Sequence, residues 1–246
     1  MRRIALLLVV GSLSLGSAGC CEWDNSCPTA PTPVPGDTQV AGTSVLSVTP
    51  IAQATEVWCW AATAEMVFRH YGIPSINPVG GYQCGIVAAY FGGPCAYDCG
   101  LCVSTIGGMA ELNRLMIQYG PFATSLGFPS RTLSTRLEFR ALSMSEVATE
   151  IDAGRPIVAG ITAGGFPFPN ISQHVVVIVG YDATGPEPFL LVNDPFPYNL
   201  FLAQGGSNPY FAVGATEVRP GRYRIRYADY IGYMAWANTI YRIQPR

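Results

Sequence analysis

The sequence predicts an α+β fold, on three observations. Apolar residues recur at helical spacing through the first half of the chain, β-branched and aromatic runs dominate the second half, and Gly or Pro marks the boundaries between them. Helices first and antiparallel strands later imply two lobes with a groove between them. The chain has 246 residues, 49% of them hydrophobic, which is enough for a substantial core. Charged residues make up only 12% and the net charge is −2, so no basic surface advertises nucleic acid or anionic lipid. All fourteen basic residues are arginine, which reads as compositional bias rather than as a site.

From the N-terminus, Arg2 and Arg3 precede the apolar run IALLLVVGSLSLG and the small residues Ser17, Ala18 and Gly19. This reads as an export signal over residues 1–19, too short for a comfortable bilayer span. Ser-Ala-Gly-Cys resembles the lipobox of bacterial lipoproteins, which makes Cys20 a candidate for lipidation; plain cleavage near Ala18 is the alternative. Residues 20–43 hold Cys21, Cys27 and a Pro-rich stretch, and are expected to form a tether. The folded domain is expected over 44–246. A first helix is predicted over about 59–71, with Gly72 and Pro74 as its stop. A second spans 106–119 through Met109, Leu112, Leu115, Met116 and Tyr119, and Gly120 and Pro121 should end it. A third starts at Ser143, where Ser143 and Glu146 fit a capping box, and ends near Gly154. Strands follow at 156–162, 174–182 and 189–194, then aromatic-rich segments near 222–228 and 233–243.

The chemistry concentrates in QATEVWCWAATAEM, residues 53–66, and in HVVVIVGYD from His174. A cysteine is a useful nucleophile as thiolate, which a helix N-terminus or a neighbouring imidazolium favours. Cys59 falls in the first turn of its helix, where unpaired N–H groups and the positive end of the dipole lie. Gln53, in the loop before it, could offer a side-chain amide to an oxyanion. The base follows by elimination: the only other histidine, His70, sits eleven residues along the same helix, about 16 Å away at 1.5 Å per residue. A third group should orient the His174 ring. FLLVNDP offers Asn193 and Asp194, and strand alternation lets only one face the histidine.

The pattern Q-x5-C-W, H-V-V before G-Y-D, and N-D-P resembles the papain-like cysteine peptidases, in particular the bacterial branch with bacteriocin-leader peptidases and plant-pathogen effector proteases. The resemblance covers residues 48–70 and 145–195. It implies a two-lobe fold in which a helical lobe, led by the nucleophile helix, packs on an antiparallel sheet or half-barrel lobe. It further implies Gln53 as oxyanion donor, Cys59 as nucleophile, His174 as base then acid, and Asp194 as orienter; Asn193 is the nearest match to the asparagine of papain itself. Trp58, Trp60 and residues 165–169 could line the groove, although Trp60 could equally pack the lobe interface.

The remaining cysteines set the compartment. Removing Cys20 and Cys59 from the eight leaves Cys21, Cys27, Cys84, Cys95, Cys99 and Cys102, an even set. Spacing around Cys99 and Cys102 could suit zinc, but an exported chain favours disulfides, whose pairing the sequence does not give. The expected protein is thus an exported or envelope-anchored cysteine peptidase, monomeric, acting on peptides or proteins without metal or organic cofactor. It is expected to bind no nucleic acid and to meet a membrane only through a lipidated Cys20. Amidase or transglutaminase-like chemistry on the same site, a leader-processing role, and a binding-only envelope lipoprotein are the alternatives.

Overall fold

The structure, a computed structural model, describes residues 40–77, 81–163, 173–203 and 205–246. The export signal, most of the tether, Cys20, Cys21, Cys27 and the segment 165–169 lie outside the described residues. In chain order the elements are β1 (Gly42–Val45), α1 (Cys59–His70), α2 (Tyr82–Phe91), α3 (Met109–Ser125), β2 (Leu133–Glu138), α4 (Met144–Asp152), β3 (Ile157–Ile161), β4 (His174–Ala183), β5 (Phe189–Asn193), α5 (Tyr198–Leu202), α6 (Pro209–Ala212), β6 (Thr216–Arg219), β7 (Arg222–Arg226), α7 (Tyr227–Gly232) and β8 (Asn238–Pro245). Two short 3-10 turns, Gly93–Ala96 and Cys99–Cys102, follow α2.

The sheet is antiparallel and runs β2-β8-β3-β4-β5-β7-β6, with β1 pairing the far end of β4. Alternation along β4 sorts its side chains to two cores. Val175, Val177 and Val179 join Phe68 of α1 and Met116 of α3 on one side, and Val176 and Ile178 join Val147 and Ile151 of α4 on the other. That period of two is what a strand buried on both faces requires. A register shift between Ile178 and Gly180 inserts one residue opposite β5, and it turns Tyr181 to the same side as Ile178. Gly180 is needed there: a Cβ on it would lie 2.7 Å from the Ser44 carbonyl oxygen of β1.

The α+β expectation agrees with this architecture, and so do α1, α4 and the strands β3 to β5. Ser143 caps α4 with both halves of the capping box formed to Glu146. The tether boundary needs adjusting, because β1 starts at Gly42, inside the stretch expected to be tether. The predicted stop of the second helix is wrong: α3 runs through Pro121 to Ser125. A proline removes only its own N–H bond and crowds one carbonyl, whereas the extra turn buries Ala123. The true end is Gly127 at φ +86°, a left-handed position that stops a helix. Gly120 serves close approach instead, since a Cβ there would fall 2.0 Å from the Arg131 carbonyl oxygen. Gly120→Ala is therefore expected to destabilise the fold by at least the upper end of ~1–3 kcal/mol. A lowered urea midpoint checks this, and an unchanged midpoint would contradict the packing described.

Candidate active site

Cys59 is the first residue of α1, and no side chain caps that end. Its sulfur is a free thiol, 7% exposed, and it borders a small cavity of about 50 Å³ shared with Trp60, Ile106, Leu112, Gln173 and Val175. The first-turn N–H groups of a helix have no partner within it, so the backbone offers donors beside the sulfur. Two indoles tie this end of the helix to the cysteine-rich insert of residues 84–102 and the residues just after it: Trp58 Nε1 donates to the Cys102 carbonyl and Trp60 Nε1 to the Ser104 carbonyl, both at 3.2 Å. Trp58 is 2% exposed, so it packs in the core and does not line a groove; Trp60 faces both the core and the small cavity. The insert itself is braced by disulfides Cys84–Cys99 and Cys95–Cys102, which engage all four of its thiols.

His174 opens β4, and Thr63 Oγ1 of α1 donates to the carbonyl of its neighbour Val175 at 3.0 Å. Thr63 lies one turn after Cys59, so this bond fastens the cysteine-bearing helix to the histidine-bearing strand. The ring is 2% exposed. Its Nε2 lies 2.7 Å from Asp194 Oδ1, and the ring interacts electrostatically with Cys59. Burial alone would push the imidazole down, but the charge and hydrogen bond of Asp194, with Cys59 adding to them, outweigh it and push it up to about 10. The histidine is thus held as imidazolium at neutral pH.

Register explains why Asp194, and not Asn193, meets His174. Val177 pairs with Asn193 and Ile178 with Val192, so residues 174, 176 and 178 share a face with 190, 192 and 194. Asp194 is then a diagonal same-face neighbour of His174. Asn193 points the other way, donating to the Val48 carbonyl at 3.0 Å and accepting from Arg222 Nε at 2.7 Å. The Asp194 carboxylate also accepts the Phe196 N–H at 2.8 Å, the Tyr210 hydroxyl at 3.0 Å and the Tyr198 hydroxyl at 3.5 Å. Burial, reinforced by the Asp194 charge, holds both tyrosines well above the usual phenol range, so they stay donors. Neither tyrosine was expected from the sequence, where the one signal was the aromatic density after Asn-Asp-Pro.

Gln53 lies in the loop before α1, 7% exposed. Its N–H donates to the Pro195 carbonyl at 2.8 Å, joining its loop to the residue after Asp194. Its side-chain Nε2 donates to the Thr55 and Glu56 carbonyls, both at 2.8 Å, while Oε1 is buried without a hydrogen-bond partner among the described residues. The amide hydrogens are therefore engaged within the loop in this state. A developing oxyanion, being charged, is the stronger acceptor and can draw one of them away. His70 lies at the opposite end of α1 from Cys59, with Nε2 at 2.9 Å from the Gly154 carbonyl, and has no part in the site.

Residues 106–201 match the model of the Peptidase_C39 like family; this span is under half of the chain and holds His174 and Asp194 but not Gln53 or Cys59. No curated protein matches the chain. Among solved structures, a protein described as a C39-like peptidase from Bacillus anthracis overlaps at TM-score 0.44 and 13% identity, over 83% of this chain and 99% of that one. Digestive procathepsin L2 from the larval midgut of Tenebrio molitor overlaps at TM-score 0.47 and 13% identity, over 83% and 69% of the two chains. Procathepsin B from Trypanosoma congolense gives 0.45 and 13%, over 81% and 73%. The sequence likeness is therefore to the Peptidase_C39 like family, and it extends over residues 106–201 alone.

Proposed function

We propose that this protein is an exported cysteine peptidase that hydrolyses peptide bonds through a thiol acyl-enzyme on Cys59. The Cys59 proton rests on His174 in a thiolate–imidazolium pair, and the thiolate attacks the scissile carbonyl. The tetrahedral oxyanion is stabilised by the Cys59 backbone N–H and the Gln53 amide. As the C–N bond breaks, imidazolium His174 gives its proton to the leaving amine. Water, deprotonated by His174, then attacks the thioester and releases the acid. Asp194 orients the ring throughout, in the manner of the acid in other nucleophile-His-acid sites. The single observation that carries this reading is the buried His174–Asp194 contact of 2.7 Å, with the free Cys59 thiol interacting electrostatically with the same ring.

Export is supported by the two disulfides of the insert, since such bridges persist in oxidising compartments. Residues 1–19 would direct it, and a lipidated Cys20 would hold the enzyme at the membrane. The substrate is an unfolded protein or a peptide, and the enzyme acts as a monomer.

Iodoacetamide at pH 7 is expected to modify Cys59 selectively in the folded protein, with the rate falling steeply in His174→Ala. Peptide mapping of the carbamidomethyl group checks this. A thiol that reacts only in strong alkali, equally fast in both proteins, would remove the ion-pair mechanism and favour a binding-only protein.

A further inference from the structure

We propose that Gln83 is a positioning residue for Gln53 and so sets how well the site stabilises an oxyanion; this rests on the role given to Gln53 above. Gln83 is the second residue of α2, outside the span that the family model matches, and is 8% exposed. Its Oε1 accepts the Ala54 N–H at 2.9 Å and its Nε2 donates to the Ala52 carbonyl at 2.9 Å. Ala52 and Ala54 flank Gln53, so one amide side chain pairs with the backbone on both sides of it, as a strand would. The orientation of the amide is not open to choice: a backbone N–H can only donate and a carbonyl can only accept.

Three supports converge on this loop. Gln83 holds residues 52 and 54, and the Gln53 N–H bond to Pro195 holds residue 53 itself. Little freedom remains except in the Gln53 side chain. Gln83 is in turn held by Glu65 of α1, whose Oε2 accepts from Nε2 at 3.2 Å while Oε1 pairs with Arg69 at 2.7 Å. The loop is thereby referenced to the same helix that carries Cys59. Cys84, the next residue, is bridged to Cys99, which anchors this end of α2 in the insert. With the backbone on both sides of Gln53 fixed, only its side-chain amide has to turn toward the developing charge, which limits reorganisation, and a displacement of about 1 Å can cost about 100-fold in rate.

The test is a double-mutant cycle on kcat and KM, using one peptide selected from a cleavage library, with iodoacetamide alkylation of Cys59 measured in parallel. Gln83→Leu keeps the volume and removes all three bonds. It is expected to lower kcat by about 10–100-fold with KM within about 3-fold. Alkylation, which forms no oxyanion, is expected to stay within about 2-fold. In a Gln53→Ala background, Gln83→Leu is expected to add less than about 2-fold, because the donor it positions is gone. Gln83→Glu keeps only the acceptor for Ala54, and decides by the same criteria if Gln83→Leu does not fold. An unchanged kcat in the folded Gln83 variant, or a full loss that persists in the Gln53→Ala background, overturns the inference alone. If Gln53→Ala itself costs nothing while Cys59→Ala is inactive, the oxyanion role of Gln53 falls and the positioning role with it.

Discussion

Cys59→Ala is expected to reduce hydrolysis of fluorescein-labelled casein by at least about 10⁴-fold, the largest effect of any single change in this protein. Among the described residues no other free thiol can take over as nucleophile. The other described cysteines are bonded in pairs, and a water would have to attack without the thioester intermediate that divides the barrier. Stability should change little, by about 1 kcal/mol, because alanine fits where the sulfur was and the rest of α1 keeps its packing against Val175 and Val177. His174→Ala is expected to cost nearly as much in rate, and the double variant no more than either alone, since the two groups act as one unit. Casein assays beside thermal melts separate loss of chemistry from loss of fold. Cleavage retained in a folded Cys59→Ala protein would contradict the mechanism.

Asp194→Asn is expected to cost about 10²–10⁴-fold in kcat and to change how stability depends on pH. Donors from His174, Phe196, Tyr210 and Tyr198 converge on this carboxylate. An amide has one acceptor where the carboxylate has two, so its NH₂ would face a donor or turn the histidine to the wrong tautomer. The pH dependence has a definite sign. His174 is raised in the folded state from an ordinary 6.5 to about 10, against the effect of burial, by Asp194 and Cys59. Such a group contributes stability that is fully present below about 6.5 and is lost as pH rises through about 10. The gap in melting temperature between wild type and Asp194→Asn should therefore be widest near pH 6 and narrow towards pH 10. A gap independent of pH would mean that the aspartate acts by packing alone. Asn193→Ala, by contrast, should weaken the fold through Val48 and Arg222 and leave the pH profile of kcat unmoved.

The groups proposed to react were legible because their chemistry restricts residue type and place. Cysteine at a helix start, histidine at a strand start and an acid at the end of the next strand can be read from spacing and periodicity, and β-sheet register then decides between Asn193 and Asp194. What holds those groups was not legible. Gln83 sits in α2, whose apolar residues run without a break from Ile86 to Phe91, so it carries no helical period to find. The partner of Tyr198 lies 4 residues away and that of Tyr210 16, while those of Gln83 and Thr63 lie 18 to 112 residues away, and no single period links them. Strands β1 and β2 escaped for a related reason: both are only partly buried, and GTSV and LSTRLE hold too few apolar residues to show a hydrophobic period of two. At Pro121 the local rule was overridden by tertiary packing of the turn beyond it.

The central claim is that Cys59 forms a covalent bond to the acyl half of the substrate, and trapping that bond tests it most directly. Wild-type protein mixed with a p-nitrophenyl ester of a short peptide, quenched in acid during turnover and digested, should yield the acyl group as a thioester on the peptide containing Cys59, with a burst of nitrophenol equal to the trapped fraction. An acyl group found on another residue, or turnover with none trapped and no burst in an enzyme whose Cys59→Ala variant is equally active, would contradict the account.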